Sequence, residues 1–337
     1  MKNILTLLFI CLTVCSAYSQ KDTTKTQNLK SSVFANIYAG FYYGLNENSS
    51  PRSAFNMPTA ILGYKREISE KVNAIILYDV TRTTNFGYTD SSGISGYFEG
   101  SKYTAFLKMA QIDWKIKKFL ELSVGQMLNE QYLTVQDKWW DHRYVDVTFQ
   151  EKFKFGMPAD FGARLKYTYK DKIRFSLTAV NGEGPFKYQD ADARFLFSGN
   201  IEYLPSEKIM VKLYCDHQTI KADSSSVRSA VSVFAGFRNK KVMAGAEYNL
   251  LQNVDFTDNE NNDYSGISLY SGYKINWKTE VFGRFDLFSL VTGLDNVNYY
   301  IFGFQYTPAP AYNISINFRN YTPANMPQLF ANFGIKF

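Results

Sequence analysis

Only two histidines occur in the chain, and each follows an aspartate, Asp141-His142 and Asp216-His217. Such a pair could supply a general base oriented by a carboxylate, or two ligands of a divalent metal. The second pair fails on geometry. It falls in an alternating segment, where neighbours point to opposite faces, so Asp216 and His217 share no ligand without a bulge. A rim enzyme would need His142 or His217 within reach of a serine and an orienting group, and nothing in the spacing supplies that. Glu280 and Asp286 show no closeness that would make a glycosidase pair. Asn181-Gly182-Glu183-Gly184 lacks the lysine and helix that follow a phosphate-cradling loop, and it reads as a turn. Asp258, Glu260 and Asp263 could bind a divalent cation, although a solvated acidic loop is the simpler reading. No basic-aromatic pattern suggests nucleic acid. The expectation is a non-enzyme that needs no cofactor and no metal.

The elements that position these residues begin with an export signal. Residues 1–19 carry one charge, Lys2, then an apolar run from Ile4 to Val14, then the small-x-small ending Ala17-Tyr18-Ser19. This reads as a secretory signal peptide too short to span a bilayer. Cys11 and Cys15 leave with it, so Cys215 remains alone and no disulfide framework forms. Loss of Lys2 lowers the formal charge from +6 to +5, which selects no partner. No apolar run is long enough for a transmembrane helix. Yet Phe, Trp and Tyr make up 17% of the chain, as expected of an outer-membrane barrel with aromatic girdles.

After a polar lead at 20–31, period-two alternation dominates. In the clearest stretch Phe161, Ala163, Leu165, Tyr167 and Tyr169 alternate with Asp160, Gly162, Arg164, Lys166 and Thr168. The pattern breaks at Asp171-Lys172 and restarts at Ile173, a hairpin signature. About sixteen such segments follow one another, near 32–44, 56–67, 72–84, 103–116, 119–128, 159–170, 173–181, 191–203, 209–218, 228–238, 242–252, 264–275, 279–289, 297–307, 311–320 and 328–337. Long polar connections alternate with short turns, as in a barrel with short periplasmic turns and long outer loops. The prediction is a transmembrane antiparallel up-and-down β-barrel spanning 32–337, in the bacterial outer membrane. One segment conflicts with it. Lys108 shares a face with Phe106, Ala110 and Ile112, which requires either snorkelling to the interface or a different local register.

A barrel of about sixteen strands is too wide to fill with its own side chains. Its polar face offers Arg164, Lys166, Arg174, Arg194, Lys212, Arg238, Arg284, Arg319 and Lys336 against Asp79, Asp160, Asp192, Glu202, Asp216, Glu247, Glu280 and Asp286. Most of these would pair along the wall, while Arg164 and Arg284 near mid-height would set a field favouring anions. The connection 129–158 holds Tyr132, Leu133, Trp139, Trp140, Tyr144, Phe149, Phe153 and Phe155, enough apolar surface to pack. Folded inward it would form a constriction presenting Lys138, His142, Arg143, Lys152 and Lys154; folded outward it would brace the rim or bind a partner.

The run Trp140-Asp141-His142-Arg143-Tyr144, followed by Ala159-Asp160-Phe161-Gly162 and Asn181-Gly182-Glu183-Gly184, resembles a group of outer-membrane porins of Bacteroidota, similar to the phosphate-selective porin O/P family. The likeness covers residues 120–190, and Asp141 and His142 stand where that group tends to have glycine and tyrosine. It implies a porin, and phosphate selectivity only through the family's name. The functional expectation is passive diffusion of small hydrophilic solutes with a preference for anions such as phosphate, through a barrel whose partners are outer-membrane lipid and lipopolysaccharide. Such a width is compatible with a homotrimer. The alternative is a binding or structural barrel with a plugged lumen.

Overall fold

The computed structural model describes residues 29–47, 49, 51–81, 86–89, 95–98, 104–131, 136–185, 189, 194–219, 227–254, 263–290, 296–322 and 324–337. The expected signal segment with Cys11 and Cys15, most of the polar lead, and Tyr132, Leu133, Asp192, Asp258 and Glu260 lie outside the described residues.

Among the described residues, period-two alternation becomes strand from Ser31 to Lys336. In chain order come β1 (Ser31–Gly44), β2 (Ser53–Glu67), β3 (Val72–Thr81), a small hairpin of β4 (Phe86–Thr89) and β5 (Ser95–Phe98), then β6 (Thr104–Lys117) and β7 (Leu120–Leu128). Two short helices follow, α1 (Gln136–Trp140) and α2 (Phe149–Lys152). The chain continues through β8 (Ala159–Tyr169), β9 (Ile173–Val180), β10 (Leu196–Ser206), β11 (Ile209–Thr219), β12 (Val227–Arg238) and β13 (Val242–Gln252). It ends with β14 (Tyr264–Lys274), β15 (Thr279–Leu290), β16 (Val297–Ala309), β17 (Tyr312–Thr322) and β18 (Gln328–Lys336). Apart from the β4–β5 hairpin, the strands form one closed antiparallel barrel in which β18 returns to pair with β1.

Closure gives every strand two partners, so no sheet edge is left for lipid to desolvate. The two faces differ as the alternation requires. Along β11, Ile209, Val211, Leu213, Cys215 and His217 point outward and are exposed, while Met210, Lys212, Tyr214, Asp216 and Gln218 point inward and are buried. Asp216 and His217 therefore lie on opposite sides of the wall. No described helix is long and apolar enough to cross a membrane; here strands do the crossing.

Three local registers depart from the sequence expectation. Along β3 and β6, Leu77 faces Met109 and Tyr78 faces Leu107, which leaves Lys108 as the extra residue of a bulge. The bulge turns Lys108 into the lumen, where its Nζ lies 2.5 Å from Asp79, while Ile112 remains on the outer face. No lysine is placed in mid-bilayer lipid there. Of the expected 191–203 segment, residues 191–193 lie outside the described ones; β10 starts at Leu196 and runs on to Ser206, with a register shift after Tyr203 that accommodates Pro205. β2 begins at Ser53, because pairing with β1 resumes beyond an irregularity between Tyr38 and Gly40.

Candidate functional site: the inward loop and its wall

The connection from β7 to β8 is tied at its base by the Asn129 amide donating to the Pro158 carbonyl at 3.0 Å. From there it packs against inward-facing side chains of the barrel. α1 lies against β12 and β13. Trp140 is 1% exposed and meets Tyr270 and Phe282 edge-on, at 5.4 and 6.0 Å between ring centroids. The Tyr144 hydroxyl donates to Gln305 on β16 at 2.8 Å. Phe153 stacks on Phe288 at 4.7 Å, and Phe149 and Phe155 bury beside it with Leu251. Burial of these rings supplies the main attraction, each worth several kcal/mol on general grounds.

Four cations of the wall engage the backbone of this segment. Arg284 donates to the Val147 carbonyl. Arg319 donates to Val145 at 2.7 Å. Lys212 reaches the carbonyls of Glu130 and Gln131, and Arg238 those of Lys138 and Trp139, both at 2.9 Å. The segment between two strands thus has its orphan carbonyls satisfied by charge-assisted donors. Sequence reasoning placed these cations on the lumen side, but it could not show that the loop backbone is their partner.

Of the sequence-predicted site residues, Arg284 lies behind the loop. Its guanidinium forks onto Asp286 at 2.6 and 2.8 Å, and it sits over the Trp140 ring at 5.4 Å. Arg143 is held within the loop by Asp137 at 2.9 Å and Glu151 at 2.6 Å. Lys152 pairs with Asp146 at 2.7 Å and covers the Tyr299 ring. Burial opposes ionisation of Asp146, but Lys152, Arg319 and Arg284 hold its carboxyl well below the usual range. Tyr299 donates to the same carboxylate at 2.6 Å. Asp146 organises the loop, and no alternation or motif signals it.

His142 is buried, with Nδ1 2.7 Å from the Trp140 carbonyl and Nε2 3.7 Å from Glu280. Burial lowers its pKa to about 4, so at neutral pH the contact with Glu280 is not an ion pair. Asp141 just before it adopts φ 55, a left-handed conformation that glycine takes without strain. Lys138 and Lys154 are exposed on the loop. Arg164 is buried on β8, donating to the Leu128 carbonyl and the Thr178 hydroxyl. Lys166 pairs with Glu121 at 2.9 Å nearer the short-turn end. The eight candidates therefore do not converge on one point; they lie above, within and behind the loop.

The two glycine-containing motifs downstream of the loop are joined. Asp160 accepts from the amides of Phe161, Gly182 and Gly184 at 2.7, 2.6 and 3.3 Å. Gly182 and Gly184 take φ 90 and 80, which leaves those amides free to converge. The Asn181–Gly184 turn is fastened by a carboxylate rather than open to an anion.

Cavities remain around the loop. One of about 520 Å³ opens toward the long-loop end, between Met157, Lys154 and the wall residues Asp160, Arg164, Arg228 and Tyr264. One of about 250 Å³ lies between Arg143, Asp146 and Lys152 and the wall residues Thr59, Arg319 and Asn332. A third, of about 200 Å³, opens at the short-turn end beside His142, Glu280, Lys274 and Asn313. Among the described residues no cluster of His, Cys, Asp and Glu is arranged to hold a metal ion.

No family model matches the chain, and no curated protein matches it. Solved structures do. OmpF of Salmonella typhi, in complex with daunomycin, is similar over 91% of this chain and 98% of its own, with a TM-score of 0.64 and 11% identity. The outer membrane channel DcaP of Acinetobacter baumannii is similar over 94% and 99%, with a TM-score of 0.62 and 13% identity. OmpT of Vibrio cholerae, an outer membrane protein in a trimer form, is similar over 92% and 100%, with a TM-score of 0.60 and 10% identity. With its apolar outer face and closed edges, this barrel belongs in the bacterial outer membrane, and its fold is that of the outer-membrane porins.

Proposed function

We propose that the chain is a porin, a passive channel for small hydrophilic solutes, constricted by the segment 129–158 and preferring anions, phosphate among them. The observation that carries this reading is the inward loop itself. It narrows a lumen too wide to fill while cavities persist on both sides of it. No covalent step is required.

Anion preference has two supports. One is the local resemblance across residues 120–190. The other is the wetting of the pairs the loop leaves uncovered. Side-chain exposure is 36% for Lys166 against 24% for Glu121, and 42% for Arg174 against 9% for Glu202, so a solute meets cation before carboxylate. Export by residues 1–19, contact with outer-membrane lipid and lipopolysaccharide, and assembly as a homotrimer belong to the same reading. The trimeric form of a protein with this fold supports the last.

The competing reading is a plugged barrel that binds or braces. It is favoured by one observation, that Tyr38 on β1 buries in the same cluster as Trp140, so the packing around the loop extends to the β1 part of the wall. Single-channel recording in a planar bilayer under a salt gradient decides between them. The porin reading expects ohmic steps, an anion-directed reversal potential, and current that persists when phosphate replaces chloride. A cation-directed reversal removes the anion preference, and silence from folded protein removes the channel.

A further inference from the structure

The short-turn end of the barrel carries a charge that the channel reading does not use. Lys71, Lys118, Lys170, Lys172, Lys208, Lys240, Lys241 and Lys278 stand in the turns between strands, against Glu70, Asp171 and Glu207. All but Lys278 are exposed. Beside or just beneath them stand exposed aromatic residues: Phe119 at 50% exposure and Trp277 at 75% in the turns, and Tyr169 at 46%, Tyr203 at 47% and Tyr273 at 46% at the strand ends. The two layers touch. The Lys170 ammonium lies 5.1 Å from the Tyr169 ring centroid, and that of Lys278 lies 4.5 Å from the Trp277 ring.

Outward aromatics at a strand end mark the level of lipid headgroups, where an amphipathic ring has one side in hydrocarbon and one in water. Ammonium groups that begin where the rings end are therefore at the height of phospholipid phosphates. A lysine is a compact point charge on a flexible stem, able to follow a mobile headgroup without a fixed geometry. Because the ring of turns surrounds the barrel, the excess is circumferential rather than a single pocket.

We propose that the lysine turns and the aromatic residues beneath them form an annular binding surface for acidic phospholipids of the leaflet at the short-turn end. This rests on the reading of the chain as a membrane-spanning barrel, and not on its conducting ions. The recognised chemistry is a phosphate bearing net negative charge next to an acyl chain, as in phosphatidylglycerol. Attraction at this distance weakens within a Debye length as salt rises.

The test reconstitutes the purified barrel in phosphatidylcholine vesicles containing trace spin-labelled phosphatidylglycerol or spin-labelled phosphatidylcholine, and measures the motionally restricted fraction of each. The expected result is about a two- to three-fold preference for the acidic lipid at low salt, declining toward unity at high salt. Substituting Lys118, Lys170, Lys172, Lys208, Lys240 and Lys241 by Gln abolishes the preference; replacing the same six by Arg keeps it. Arg52→Gln, at the long-loop end, leaves it unchanged. These side chains are exposed, so the variants fold, and heat-modifiable migration on a gel confirms it. Equal restriction of both lipids in the wild type, or a preference that survives the six Gln substitutions, overturns the proposal. Failure of the protein to insert at all would instead count against the membrane-barrel reading.

Discussion

The inner wall has two parts built from the same alternating strands with opposite electrostatic outcomes. Deep behind the loop, on β11, β13, β15 and β17, the charges are dry, whereas Arg238 on β12 keeps 36% exposure at its side chain although it donates to loop carbonyls. Arg284 and Asp286 are 1% and 0% exposed at the side chain, and Lys212 is buried against loop carbonyls. On the uncovered stretch near the short turns, Lys166, Glu121 and Arg174 remain wet. A lumen-facing charge is thus a dry wall pair such as Lys108–Asp79, a loop anchor, or a charge that a solute meets, and its strand position alone does not say which. Dry pairs resist screening and hold structure; wet pairs are weak in stability but available to steer ions.

Breaking the covered side should have the largest effect. Asp286→Ala leaves the Arg284 guanidinium buried with only the Val147 carbonyl, and should destabilise the barrel by about 3–5 kcal/mol, read as a lowered unfolding midpoint in urea. Next comes a pH effect through His142. Its folded pKa lies below the ordinary 6.5, at about 4, so the stability tied to its neutral form is complete above about pH 6.5. That stability is lost progressively as pH falls toward 4, by about 3 kcal/mol in all. A thermal midpoint that falls over this window in the wild type, and falls less in His142→Asn, is the expected outcome. Gln150→Ala removes the amide that donates to Ser232 and Asn249 at 2.6 and 2.5 Å. It should cost about 1–2 kcal/mol, because the buried Ser232 hydroxyl then keeps only its own donation to Asn249, visible as easier proteolysis of the loop. On the uncovered side, Lys166→Glu should change stability by no more than about 0.5 kcal/mol while moving the reversal potential in the cation direction.

Much of the barrel was legible because period two is a strong signal. All sixteen barrel strands of the structure match predicted segments, and the long-short rhythm of connections placed the loop ends together. What was not legible depended on contacts between segments. Lys108 reads as lipid-facing until pairing with β3 inserts a bulge and brings Asp79 to it. The β4–β5 hairpin and the two loop helices lack enough period to stand out from polar connections. Apolar content suggested that 129–158 would pack, yet which wall receives it follows from Trp140, Tyr270, Phe282 and Arg284 meeting in space. Asp146 carries no motif, and its role exists only once Lys152 and Tyr299 surround it.

Whether the segment 129–158 sets the width of the passage is decided by the single-channel conductance of a variant in which residues 133–156 are replaced by a short Gly-Ser linker. A conductance several-fold above the wild type, with weaker ion selectivity, is predicted, because the barrel wall alone would then define the pore. An unchanged conductance in a folded variant would mean that the loop is not the constriction.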